Sequence, residues 1–246
     1  MKCLIDFGNS RCKWAYQHKQ ESLSVSSYGY KSRDQQQRVK EVLKVMSFER
    51  CNEIHIVSVL GEEFERRFKT AISEMTPIEP KFYVVERNNH GIQLSYSDPS
   101  SYGVDRYAAI VAAHHLSQSS AIVVDCGTAM TIDAVNDSGH HMGGLIIPGA
   151  GLMRSLLSNN AAMIPKPEQS SPIELMNHST EDALNSGSAL ILRYGLPVII
   201  QKMKLQIDED VEVYVTGGEF ELVGLIDRDY IHRPNLVLEG LEIMLG

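Results

Sequence analysis

Two short runs in this sequence place an aspartate, then a glycine two positions on, then hydroxyl-bearing residues: Asp6-Phe7-Gly8-Asn9-Ser10 and Asp125-Cys126-Gly127-Thr128. Each follows an apolar stretch that reads as a buried strand, so its backbone is expected to be held rigidly. Glycine lets the main chain come close to a ligand and adopt positive φ. The N–H groups of such a turn form an anion-binding concavity. The aspartate faces the same space, where it can hold a metal ion or a metal-bound water. Asn9, Ser10, Thr128 and Thr131 add polar contacts, and Lys13 adds a positive charge. A single Asp-x-Gly is an ordinary β-turn signature, because Asp and Gly dominate turns. Two copies in the same strand–turn–strand setting point to the phosphates of a nucleotide. Val215-Thr216-Gly217-Gly218 is a third glycine turn. It serves either close passage of the backbone past an adenosine or a helix start that needs small residues.

Gly103-Val104-Asp105-Arg106 reads as the opening of a helix. Asp105 suits the helix N-terminus on dipole grounds alone. In a cleft with phosphate turns it gains a second reading. Phosphoryl transfer needs positioning, charge neutralisation and a carboxylate that accepts the acceptor hydroxyl's proton.

These residues need strands and helices to hold them. Residues 2–6, Lys13 to Tyr16 and Leu23 to Tyr30 read as a three-stranded meander. Val39, Val42, Leu43 and Met46 form one helical stripe, Ile54 to Val59 a buried strand, and Phe64, Phe68 and Ile72 a second stripe. A strand over Phe82 to Val85, a polar loop from Arg87 to Tyr102 and a helix over Val104 to Leu116 follow. The second half repeats the grammar, with strands at Ala121 to Val124, Met130 to Val135 and Met142 to Ile147. A helix from Gly149 to Ser158, a proline-bearing loop over Ile164 to Pro172 and a long helix over Thr180 to Ile207 come next. A strand at Val211 to Val215, a helical stretch after Gly218, a strand near Tyr230 to His232 and a helix over Leu236 to Leu245 complete the chain. Two similar α/β domains facing a central cleft are expected, at 1–115 and 116–246, with the last helix free to pack back on the first. Ligands favour such interfaces.

Composition narrows the function classes. The 246 residues are enough for two small cores, and 43% hydrophobic with 22% charged residues is ordinary for a globular protein. The net charge of -8 and the lack of a dense Lys/Arg cluster argue against a nucleic-acid partner. No signal-peptide pattern and no apolar run long enough to span a bilayer is read, so a cytoplasmic protein with no membrane role is expected. The four cysteines lack metal-ligand spacing and are expected as reduced, buried thiols.

Taken in order, the motifs resemble those of type III pantothenate kinase, within the acetate and sugar kinase/Hsp70/actin superfamily. Asp6 to Ser10 with Lys13 resembles the first phosphate motif, and Asp125 to Asp133 the second. Tyr96-Ser97-Asp98-Pro99 leading to Gly103-Val104-Asp105-Arg106 resembles the pantothenate motif. Gly143 to Gly149 resembles the interdomain segment, Asn177 to Thr180 the substrate threonine region, and Thr216-Gly217-Gly218 the adenosine turn. The resemblance implies two actin-like (ribonuclease H-like) domains with mixed sheets, and ATP-dependent phosphorylation of pantothenate, the first step of coenzyme A synthesis. It implies Asp105 as general base, and Tyr96, Gly103, Val104, Arg106 and Thr180 around the pantothenate. ATP contacts fall to Asp6, Phe7, Gly8, Asn9, Ser10, Arg11, Cys12, Lys13, Thr128, Gly217 and Gly218. A monovalent cation, K⁺ or NH₄⁺, is implied at Asp125, Mg²⁺ accompanies ATP with Asp6 reaching it through water, and the family is homodimeric. Ser10 stands where threonine is usual and Tyr102 where leucine is usual.

Overall fold

The computed structural model describes residues 1–18, 23–117, 119–160, 172–207, 210–221, 224 and 229–246. The chain divides into two compact units, Met1–His115 with Asn235–Gly246, and Leu116–Pro234.

The first unit opens with β1 (Lys2–Phe7), β2 (Arg11–Gln17) and β3 (Val25–Gly29), followed by α1 (Gln35–Val45), β4 (Glu53–Ser58), α2 (Glu62–Ser73) and β5 (Lys81–Phe82). Its sheet runs β3-β2-β1-β4-β5, with β1, β2 and β3 antiparallel and β4 and β5 parallel to β1. Successive residues of β1 point to opposite faces. Cys3, Ile5 and Phe7 enter one core, with Val39 and Val42 of α1 and Phe64, Phe68 and Ile72 of α2. Leu4, on the other face, is also fully buried, which is why β1 reads as a continuous apolar run. Phe7 meets Phe64 and Phe68 edge-on, at centroid distances of 4.8 and 5.0 Å. This is a preferred aromatic geometry. Asp34 caps α1, its side chain accepting from the Gln37 N–H at 2.8 Å.

The loop expected over Arg87 to Tyr102 has structure of its own. β6 (Asn88–Asn89) and β7 (Ile92–Gln93) form a hairpin, and Pro99–Ser101 forms a 3₁₀ turn. The hairpin turns on His90 and Gly91, at φ 52° and 79°, the left-handed pair that a two-residue hairpin turn demands. The strand expected over Phe82 to Val85 shrinks to Lys81–Phe82, because Val84 is 69% exposed and has no face to bury. α3 (Val104–Leu116) follows and is buried from Arg106 through Ala113.

The second unit holds β8 (Ser120–Cys126), β9 (Ala129–Val135), β10 (His141–Pro148), α4 (Ala150–Asn160), α5 (Thr180–Ile207), β11 (Val211–Thr216) and β12 (Tyr230–His232). Its sheet order, β10-β9-β8-β11-β12, repeats that of the first unit, again with an antiparallel meander and two parallel strands. The loop expected over Ile164 to Pro172 lies outside the described residues up to 171. Where a helical stretch is expected after Gly218, the described residues 219–221 form turns.

Contrary to the sequence reading, α5 is long and apolar enough to cross a membrane by length and composition. Its Leu192, Leu196 and Ile200 nevertheless pack into the core of the second unit with Ile122 and Val213. Polar Asn185, Ser186 and Ser188 are buried with them.

α6 (Leu236–Ile243) belongs with the first unit. Leu236, Leu238 and Leu241 are fully buried, and the helix lies against β1 and β4. A Cβ at Gly240 would collide with the Ala108 carbonyl, so α6 and α3 meet backbone to backbone. Phe68 is the centre of the first core, touching Phe7, Phe64 and Phe82. Phe68→Ala should lower stability by about 3–5 kcal/mol in denaturant unfolding, the usual effect of deleting a buried aromatic ring.

Candidate active site

The first turn is built by the β1–β2 hairpin. Its register sets Asp6 opposite Lys13 and Phe7 opposite Cys12. Asp6 and Lys13 therefore share one face of the sheet, while Phe7 and Cys12 point into the opposite core. The Gly8 N–H donates to the Arg11 carbonyl at 3.1 Å and closes the turn, with Asn9, Ser10 and Arg11 exposed at its tip. The Tyr30 N–H donates to the Ser10 carbonyl at 3.1 Å and braces the turn from β3's end. Phe7 and Cys12 can reach a ligand only through their main chain. Burial pushes the Cys12 thiol well up, and the Asp6 carboxylate adds to the shift. Cys12 is thus a neutral, buried thiol.

The second turn has the same build with a different partner. Asp125 lies opposite Thr131 on β9 and Thr216 on β11. Thr128 is exposed at the tip. Gly217, at φ 91°, lies where a Cβ would press on the Cys126 backbone and come within 2.5 Å of the Asp125 carboxylate. Glycine is required there for conformation and for space together. The third glycine turn thus lies directly on the second.

Glu219 was not singled out by the sequence. Its N–H donates to the Cys126 carbonyl at 2.9 Å, and its carboxylate accepts from the Ala150 N–H at 3.1 Å. It therefore caps α4 from 69 residues away. Gly149 donates to the Thr128 carbonyl at 2.9 Å, and any Cβ there would strike the Gly127 carbonyl. Burial, then the Asp125 and Glu219 carboxylates, raise the Cys126 thiol. No motif marks Glu219. The only sequence signal is an acid just after a glycine pair that follows a strand.

The head of α3 gathers the acceptor-motif residues. Asp98 accepts from the Ser100 N–H at 2.9 Å and starts the 3₁₀ turn that delivers Tyr102. The Arg106 guanidinium carbon lies 4.4 Å from the Tyr102 ring centre and 6.0 Å from that of Tyr96. The two rings meet edge-on at 4.8 Å. The Arg87 Nη1 donates to the Tyr96 carbonyl at 2.9 Å and secures that segment of the chain. Asp105 accepts from the Arg106 N–H at 2.7 Å. A Cβ at Gly103 would come within 2.6 Å of the Asp105 carboxylate, so glycine leaves room for it. Val104 is buried and offers only its backbone.

In the second unit, Thr180 is exposed at the first position of α5. Ser179 caps that helix: its hydroxyl accepts from the Asp182 N–H at 3.1 Å and donates to the Asp182 carboxylate at 2.6 Å. The structure thus brings Asp6 to Lys13 together in one turn, and Tyr96, Tyr102, Asp105 and Arg106 at one helix head. It brings Asp125, Thr128 and Gly217 together in the second unit. Among the described residues, no three His, Cys, Asp or Glu side chains form a ready metal cage.

Comparison with known proteins gives the kinship. A family model described as type III pantothenate kinase matches residues 3–202, which include both phosphate turns and the α3 head. A type III pantothenate kinase of Alcanivorax borkumensis is 29% identical over 243 residues, covering 98% of this chain and 97% of that protein. One of Nitrosococcus oceani is 30% identical over 253 residues, covering 98% and 92%. Among solved structures, a Campylobacter jejuni protein assigned to the Baf family of transcriptional activators aligns with a TM-score of 0.62 at 19% identity, covering 99% and 96%. That last likeness establishes the shared fold, and a Sinorhizobium meliloti structure described as a 2-dehydro-3-deoxygalactonokinase aligns as well, with a TM-score of 0.57 at 13% identity, covering 98% and 97%. With a family model across most of its length and relatives matched almost end to end, the chain belongs to the type III pantothenate kinase family.

Proposed function

We propose that this protein transfers the γ-phosphoryl group of ATP to the primary hydroxyl of pantothenate, giving 4'-phosphopantothenate and ADP. This is the first step of coenzyme A synthesis. The observation that carries the reading is the α3 head, where a carboxylate, Asp105, accepts from the backbone N–H of Arg106, the residue whose guanidinium is held on tyrosine rings. An acceptor with a hydroxyl at one end and a carboxylate at the other suits that pair.

Asp105 is the general base. It takes the hydroxyl proton as the oxygen attacks the γ-phosphorus and the bond to the ADP oxygen breaks. Arg106 and Tyr96 hold the acceptor, and Gly103 and Val104 shape its pocket. Thr180 is assigned to the same acceptor from the resemblance of Asn177 to Thr180 to the family's substrate threonine region. Gly8, Asn9, Ser10, Arg11 and Lys13 of the first turn and Thr128 of the second are assigned to the phosphates, and Gly217 and Gly218 to the adenosine.

The donors fit the implied cations. Asp125, with Thr131 and Thr216 beside it in register, offers the hard oxygens that K⁺ or NH₄⁺ favours. Asp6 offers one carboxylate, suited to a water of the Mg²⁺ that arrives with ATP. When bound, these cations neutralise phosphate and carboxylate charge.

A homodimer completes the reading. Ile191, Tyr194, Val198 and Leu205 of α5 are 60–72% exposed and follow one helical stripe. We assign that stripe to a second copy of the chain. A cytoplasmic location fits four free, buried cysteines.

An ADP-release assay should show turnover that requires pantothenate and falls when K⁺ is replaced by Na⁺. Turnover without pantothenate would overturn the reading. Asp105→Asn should lower kcat at least ~100-fold while ATP binding, followed by calorimetry, is retained. Near-normal turnover would remove the role given to Asp105. Paired Ile191→Asp and Tyr194→Asp substitutions should convert a dimer to a monomer in sedimentation velocity, and an unchanged mass would exclude α5 as the interface.

A further inference from the structure

Arg106 is a long, rotatable side chain, and binding a carboxylate with two parallel N–H bonds demands a fixed guanidinium plane. The structure supplies the fixing element. Tyr102 is 3% exposed and Arg106 7%, so the stack between them, at 4.4 Å, lies away from water. Cation–π attraction is strongest in such a setting. The Tyr102 backbone is itself pinned, its N–H donating to the Pro99 carbonyl at 3.1 Å within the 3₁₀ turn that Asp98 caps. Tyr96 braces the ring edge-on, and its hydroxyl lies 3.5 Å from Arg106 Nη1. A rigid turn thus presents an aromatic face to a side chain that leaves a separate rigid helix. A leucine at 102 would be smaller and present no negative ring face.

We propose that Tyr102 is a positioning residue that sets acceptor affinity: its ring face holds the Arg106 guanidinium flat, so that the guanidinium edge meets the acceptor's carboxylate. The inference rests on the pantothenate reading and deepens it. Tyr102 touches neither reacting atom. Its loss should therefore weaken acceptor binding and leave the phosphoryl-transfer step and the nucleotide site alone.

The test replaces Tyr102 with phenylalanine and then with mono-, di- and trifluorophenylalanine, which keep the ring's shape while draining charge from its face. KM for pantothenate should stay near wild type for Tyr102→Phe and climb stepwise with fluorination, about tenfold across the series. Both kcat and KM for ATP should stay within about twofold, the pattern of lost uniform binding. Tyr102→Leu should match or exceed the trifluoro variant. A flat series overturns the proposal. So does Tyr102→Phe failing as badly as Tyr102→Leu, which would assign the effect to the hydroxyl. A parallel rise in KM for ATP would assign it to general packing and overturn it too. The phenylalanine and fluorophenylalanine variants are nearly isosteric, so misfolding does not mask the answer, and the leucine variant is read only alongside them. Wild-type enzyme without pantothenate-dependent turnover would take down the functional reading and this inference together, whereas an active wild type with a flat series removes the inference alone.

Discussion

Each unit places its first strand at the centre of its sheet, and the chemistry depends on that placement. β1 and β8 are each flanked by an antiparallel hairpin partner and a parallel strand. A strand buried on both faces tolerates no charge until its end. Asp6 and Asp125 are therefore set at the point where the central strand leaves the core. The hairpin turn that follows has to double back at once, so its N–H groups gather at the same edge as the carboxylate. The core requirement and the phosphate binding proposed for these turns would be met by one stretch of chain.

The shared sheet order extends the constraint to the third turn. β11 stands beside β8 as β4 stands beside β1, so its end, Thr216, lies level with Asp125. The chain must then pass over the Asp125 carboxylate, and only glycine has room. Glu219, next along, meets the start of α4 and joins the second turn, the third turn and that helix into one block.

Much of this was legible in the sequence, for physical reasons. α3 and α5 fall where the sequence predicts them, because capping and apolar recurrence are local signals. The paired Asp-x-Gly turns were legible because a buried run that stops at an acid is an unusual pattern. The β6–β7 hairpin was hidden, since its strands have two residues each and its signal is only Asn89-His90-Gly91. Glu219 was hidden because it caps a helix remote in sequence, and the Tyr102–Arg106 stack because spacing does not specify a ring's orientation. The return of α6 rests on Gly240, which looks like a flaw in an apolar helix until Ala108 is seen against it.

The two turns differ in one respect that composition cannot reveal. Across the hairpin, Asp6 faces a lysine, whereas Asp125 faces a threonine. The first turn thus carries a cation of its own beside its carboxylate. The second adds a further carboxylate, Glu219, and both acids raise the Cys126 thiol buried below them. Bringing the phosphates of ATP to such a turn would stack negative charge on negative charge in a partly dry site, where Coulomb repulsion is poorly screened. The monovalent cation proposed at Asp125 would relieve the repulsion without a dedicated cage, and the hydroxyls of Thr131 and Thr216 would offer oxygens suited to it. The asymmetry between Lys13 and Thr131 is therefore a physical reason to assign that cation to the Asp125 turn rather than to the Asp6 turn.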